Sequence, residues 1–144
     1  MEDLVTLAKS TTCKRMGVAS LVALGWEDVP GQTVTTFGIA VNKHLDGECK
    51  NIVGGCGCTH AEVRAIQALF HKTGAPKKLH RAQLEAHITH SPCLACARNL
   101  YEVSRLYGAT LRVVYGQDYR IAEGLDYLRD HEVPATLWTR YGIL

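Results

Sequence analysis

The sequence predicts an α/β protein built on a mixed sheet, and three patterns carry that reading. Two stretches rich in β-branched residues flank a Pro30-Gly31 turn, which makes a hairpin. Strand-like and helix-like segments then alternate through the second half, an order that produces a partly parallel sheet with helices packed on it. Between the two halves lies a glycine- and cysteine-rich stretch, 42–58, with neither a helical nor a strand period.

Residues 2–12 carry Leu4, Leu7 and Ala8 at helical spacing and read as a short helix. Residues 16–24, rich in small and β-branched apolar side chains, read as a buried strand, and 33–41 as its antiparallel partner. The stretch 42–58 is too long for a plain connection and reads as a functional loop. Thr59 is a natural N-cap for a helix running to about Thr73, with Val63, Ile66, Leu69 and Phe70 on its apolar side; Gly74 and Pro76 stop it. Residues 84–90 alternate as a strand, with Leu84, Ala86 and Ile88 opposite Glu85, His87 and Thr89. Pro92 suits the first turn of the next helix, on which Cys93, Cys96, Leu100, Val103 and Tyr107 share one face. Residues 110–115 form a fourth strand, Asp118 caps a helix carrying Ile121, Leu125 and Leu128, and 135–138 form a fifth strand.

A chain of 144 residues is long enough for one domain with its own core, so 1–144 is expected to be a single domain. Hydrophobic residues make up 47% and charged residues 21%, an ordinary globular balance. The net charge of +2 is too small to imply a nucleic-acid groove, and nucleic acid is not the expected partner. No apolar run reaches the ~20 residues that span a bilayer. The start Met1-Glu2-Asp3-Leu4 lacks the basic and apolar regions of a signal peptide. The expected location is therefore cytoplasmic, where six cysteines point to metal before disulfides.

The chemistry concentrates in two fragments. His60-Ala61-Glu62 is followed, after 29 residues, by Pro92-Cys93-Leu94-Ala95-Cys96. One imidazole and two thiolates are three zinc ligands, and a tetrahedral site with an open fourth position is a catalytic one. Glu62, two residues beyond the histidine, is close enough to carry protons without being a ligand. Two simpler readings stand beside this one. Thr59-x-x-Glu62 fits a capping box, in which Glu62 merely closes the helix N-terminus. Cys93-x-x-Cys96 fits a redox dithiol, which leaves His60 unexplained.

H-x-E followed by P-C-x-x-C is the signature of the zinc deaminases. The chain resembles the cytidine and deoxycytidylate deaminase superfamily, and within it the deoxycytidylate (dCMP) deaminases, phage-type members included. Nearly the whole length carries the resemblance: Cys13-Lys14-Arg15-Met16-Gly17-Val18-Ala19 resembles the opening strand, Thr89 to Ala97 the second catalytic segment, and Val113-Val114-Tyr115 with Tyr119 the closing portion. It implies a three-layer α/β/α fold, a five-stranded mixed sheet with helices on both faces. It also implies a zinc-dependent hydrolase converting dCMP to dUMP and ammonia, assembled as a homo-oligomer, hexamers among the possibilities. Asn42 would contact the sugar, the Ala61 N–H the base carbonyl, and the Ser91 carbonyl the amino group. Tyr115 is a candidate for the base or sugar pocket, or simply an aromatic closing a strand.

Two positions depart from the family pattern. Ala40-Val41-Asn42-Lys43 stands where a Gly-Tyr-Asn-Gly type segment is usual, and Arg64 where an asparagine is common. Both leave open how the substrate's tail is held and whether dCTP and dTTP regulate the enzyme.

Cys13, Cys49, Cys56 and Cys58 remain, the number a closed tetrahedral zinc requires. Some dCMP deaminases carry a second, structural zinc with one ligand two residues before the catalytic histidine, where Cys58 stands. The alternative is that Cys13 is a small buried hydrophobe and Cys56-Gly57-Cys58 incidental. His90 reads either as pocket lining or as surface. Rival functions are deamination of free cytidine, for which a three-cysteine site is usual, deamination of tRNA adenosine, and a zinc-stabilised module without catalysis, in which Glu62 has no use.

Overall fold

The computed structural model describes residues 1–45, 47–52, 56–119, 121–139 and 142–143. In chain order the elements are α1 (Glu2–Ala8), β1 (Ala19–Val29), β2 (Gln32–Val41), α2 (Ala61–Thr73), β3 (Gln83–Ile88), α3 (Leu94–Tyr107), β4 (Thr110–Tyr115), α4 (Glu123–Asp130), β5 (Ala135–Thr139) and β6 (Gly142–Ile143). They form a mixed sheet in the order β2-β1-β3-β4-β5-β6. β1 pairs antiparallel with both β2 and β3, while β3, β4 and β5 run parallel. All five predicted strands are present; the two-residue β6 adds to the edge.

Alternation along the strands decides the layers. Val22 pairs with Gly38 and Ala86, Leu24 with Leu84, and this face packs with Ala65, Ile66 and Leu69 of α2, Leu100 and Tyr107 of α3 and Leu128 of α4 in the main core. Ala19 faces the other way, against Leu4 and Ala8 of α1, with Leu21 and Val41 beside them. Helices therefore cover both faces, three on one and a seven-residue helix on the other.

Several boundaries differ from the sequence reading. β1 continues to Val29 because Pro30-Gly31 alone closes the hairpin, with Gly31 at φ +82°. The N-cap of α2 is His60 rather than Thr59, and that of α4 is Ala122 rather than Asp118. Thr59 is instead drawn into a two-way backbone bridge with Lys43 (2.7 and 3.0 Å), which pinches the base of the 42–58 loop. Residues 46 and 53–55 of that loop lie outside the described residues. Among the described residues, no helix is long and apolar enough to cross a membrane.

Antiparallel pairing puts the start of β1, the end of β2 and the end of β3 at one edge of the sheet, and parallel pairing adds the end of β4. The segments 13–18, 42–45, 56–60, 89–93 and 116–119 thus meet at the carboxyl ends of the parallel strands, where open α/β sheets place their sites.

Gly38 sets how α2 lies. A Cβ there would fall 2.0 Å from the Ala65 carbonyl oxygen and 2.6 Å from the Leu69 nitrogen, so helix backbone rests directly on strand backbone. Gly38→Ala should destabilise the fold by about 1–3 kcal/mol, the cost of overpacking, measured as a lower denaturant midpoint. Gly25→Ala, whose Cβ meets nothing nearer than 3.5 Å, should leave the midpoint nearly unchanged.

Candidate active site

The site begins with two helix starts. His60 and Cys93 are the N-cap residues of α2 and α3, both in extended backbone conformation (ψ 148° and 168°), and neither side chain caps its own helix. N-caps are usually Ser, Thr, Asp or Asn bonding back to the helix. Here both side chains turn toward each other instead. The His60 Nδ1 lies 3.5 Å from the Cys93 Sγ and 3.3 Å from the Cys96 Sγ. A tetrahedral zinc with typical Zn–N and Zn–S lengths has N···S edges of ~3.6 Å. The three predicted ligands fit one ion.

Glu62 is buried (4% exposed) in the first turn of α2 and is absent from the three-ligand group. With His60 as N-cap and no side-chain bond at the helix start, the Thr59–Glu62 capping box is not formed. Burial pushes its carboxyl above the ordinary range, against the pull of its own backbone N–H and of His60. The thiols are unequal: hydrogen bonding from Cys96, with help from His60, holds Cys93 down at about 4, while Cys93 and burial push Cys96 up. Cys93 in turn raises the His60 pKa.

The other four cysteines also meet. The Cys13 Sγ is 3.8 Å from that of Cys49 and 3.9 Å from that of Cys56, and all four sulfurs, Cys58 included, lie within 4.8 Å of one another. A ZnS₄ tetrahedron has S···S edges of ~3.8 Å, so this donor set also fits one ion. Burial would raise Cys49, but the backbone N–H groups of Lys14 and Asn51 and the Cys58 and Cys13 thiols outweigh it and hold it at about 6. Burial and the Cys13 thiol push Cys58 up.

A cavity of about 710 Å³ joins the two clusters, lined by Cys13, Cys56 and Cys58 as well as His60, Glu62 and Cys93. Asn42, Ala61 and Ser91 line it as the sequence reading expected, and so does His90. Asn42 also braces the cavity wall. Its Oδ1 accepts from the Val18 N–H (2.9 Å) and the Thr11 hydroxyl (2.9 Å), and its Nδ2 donates to the Met16 carbonyl (2.7 Å). Ser91 ties β3 to the loop after β4, its N–H donating to the Gln117 carbonyl (2.8 Å) and its Oγ accepting from the Tyr119 N–H (2.6 Å). Tyr115 is not brought to the cavity; it is buried at the end of β4, and Tyr119, four residues on, takes the lining position. Arg15, Gln117 and Asp118 line the cavity without having been read from the sequence as site residues. For Arg15 the available signal was its place two residues after Cys13. Arg64 is accounted for by structure, its guanidinium donating to the Val41 carbonyl (2.6 Å).

No family model matches the sequence, and no curated protein matches it. Solved structures do. The dCMP deaminase of the cyanophage S-TIM5, in complex with dCMP and dUMP, superposes with a TM-score of 0.65 at 24% identity, covering 94% of this chain and 91% of that one. The chain has the cytidine deaminase-like fold. The Aspergillus oryzae Rib2 deaminase bound to DARIPP shares it at a TM-score of 0.64 and 14% identity, over 94% of this chain and 80% of that one. Deaminases of different substrates thus share the fold.

If the four-cysteine cluster holds its own ion, Cys49→Ser should lower zinc from two per chain toward one, read by elemental analysis of the purified protein. Unchanged zinc content in that variant would remove the cluster's assignment.

Proposed function

We propose that the protein is a zinc-dependent hydrolase that deaminates a small cytosine nucleotide, dCMP first, to the uracil nucleotide and ammonia. One observation carries the reading: a buried carboxylate stands beside a three-ligand metal set of which it is no part. A structural metal site has no use for such a group. His60, Cys93 and Cys96 would hold the catalytic zinc, and Cys13, Cys49, Cys56 and Cys58 a structural one.

Bound zinc would supply a Lewis acid that lowers the pKa of a coordinated water to about 7. The protein's own groups account for the rest. Glu62 takes a proton from the attacking water and delivers it to N3 of the base as the C4–O bond forms. It then carries the second proton to the amino group, and the C4–N bond breaks to release ammonia. Its burial suits both halves, since a carboxyl with a raised pKa is a competent acid as well as a base. Ala61 is the first residue of α2, so its N–H has no partner within the helix and is free to donate to the base carbonyl. The Ser91 carbonyl would accept from the amino group, with the Gln117 and Tyr119 contacts holding Ser91 in place. Asn42, already fixing 16–18 at the cavity wall, has one amide N–H left for a sugar hydroxyl.

The test is ammonia release from dCMP, deoxycytidine, CMP and cytosine by the zinc-loaded protein. Turnover of dCMP is expected, and Glu62→Gln should lower kcat by about 10³-fold or more with zinc content unchanged. Absence of turnover with all four at full zinc occupancy would overturn the assignment.

A further inference from the structure

We propose that His44 is a positioning residue for the four-cysteine centre, its Nε2–H the hydrogen-bond donor to the Cys58 thiolate; this rests on the reading above that the cluster holds a zinc. The fold brings His44 there. Lys43 and Thr59 exchange two backbone hydrogen bonds, and antiparallel pairing then puts the next residues, His44 and Cys58, opposite each other. The imidazole lies against Gly57: a Cβ on that glycine would fall 2.9 Å from the His44 Nε2 and 3.3 Å from its Cδ2. Gly57 therefore needs to be glycine twice over, for its φ of +79° and for the ring pressed on it.

Burial decides which ring nitrogen donates. The His44 Nδ1 is buried and, among the described residues, has no hydrogen-bond partner. A buried N–H without an acceptor is costly, so the ring proton belongs on Nε2, the nitrogen at the Cys56-Gly57-Cys58 turn. His44 is a neighbour of the centre and not a ligand of it. The four sulfurs lie within 4.8 Å of one another, and no ring nitrogen of the described residues joins that group.

Four thiolates around Zn²⁺ leave surplus negative charge, which N–H donors outside the ligand set spread. Cys49 already has one, the Asn51 N–H at 3.4 Å, whereas Cys58 has none among the described residues. With the centre loaded, the His44 Nε2–H supplies it. The effect reaches the first site through the chain, because Cys58 precedes His60 by two residues and Thr59 between them is held by Lys43. Cys56, on the other side of Gly57, is fixed separately by the Lys50 N–H, which donates to its carbonyl (3.1 Å).

The measurement is competition for zinc with a chelator of known affinity, run on the wild type, His44→Phe and His44→Gln, with bound zinc counted by elemental analysis. The first variant keeps a ring against Gly57 and loses the donor; the second places an amide N–H near the Nε2 position without the ring. His44→Phe should weaken one of the two zincs by about 10- to 100-fold, and His44→Gln should restore most of that affinity. In a Cys49→Ser background, where one zinc remains, adding His44→Phe should change nothing further, which assigns the effect to the four-cysteine centre. Wild-type affinity in His44→Phe, equal weakening in both variants, or a further loss in the Cys49→Ser background would overturn the proposal. A wild type that binds a single zinc would instead sink the second-centre reading itself, and the proposal with it.

Discussion

Two helix starts have to face each other across a few ångströms, and most of the molecule serves that requirement. His60 and Cys93 can share an ion only if α2 and α3 lie on the same face of the sheet with their first residues converging. Two glycines permit the approach. Gly38 lets α2 rest on β2, and Gly124 lets the first turn of α4 press on the Pro92–Cys93 turn, where a Cβ would come within 1.9 Å of the Pro92 carbonyl oxygen. Gly124 is not among the residues with positive φ, so its conformation asks for no glycine. A glycine within a helix costs about 1 kcal/mol relative to alanine, and here the contact accounts for it.

The same geometry supplies the electrostatics. Two sets of unpaired helix N–H groups point at the convergence, and their dipoles favour thiolates there. The side chains at both N-caps turn to each other rather than back to their own helices, so neither helix has its usual side-chain cap. An ion held there, as proposed above, would do what a cap does, tying the end of the helix to the rest of the fold. The four-cysteine cluster extends this to the 42–58 loop, whose two ends are otherwise joined by the Lys43–Thr59 bridge. Because Cys13, Cys56 and Cys58 line the cavity as well, order in that cluster is order in the cavity wall.

Much of this was legible in the residues. The H-x-E and P-C-x-x-C signature picked out His60, Cys93 and Cys96, which the structure brings together, and the four leftover cysteines meet as a second group. Strand alternation placed β3 and β4 to within a residue or two. What failed was decided by contacts distant in sequence. Thr59 has the better capping side chain, yet His60 occupies the N-cap because Thr59 is held by Lys43. Asp118 looked like a helix start, but the loop after β4 is fastened to Ser91 and α4 begins later. Tyr115 and Tyr119 cannot be told apart as cavity residues until that loop's path is known. Arg15 lies in the segment that resembles the family's opening strand, but its place at the cavity follows from two anchors far apart in the chain, Cys13 and Asn42.

Zinc K-edge absorption on the purified protein tests the central claim most directly, because it reads the ligands of both sites without presuming a substrate. One His-Cys₂ site with an open position and one Cys₄ site predict an average shell of about three sulfurs at ~2.3 Å and one nitrogen or oxygen at ~2.0–2.1 Å. A shell of four sulfurs with no light ligand, or one dominated by nitrogen and oxygen, would contradict the convergence of His60 with Cys93 and Cys96 beside a separate cysteine cluster.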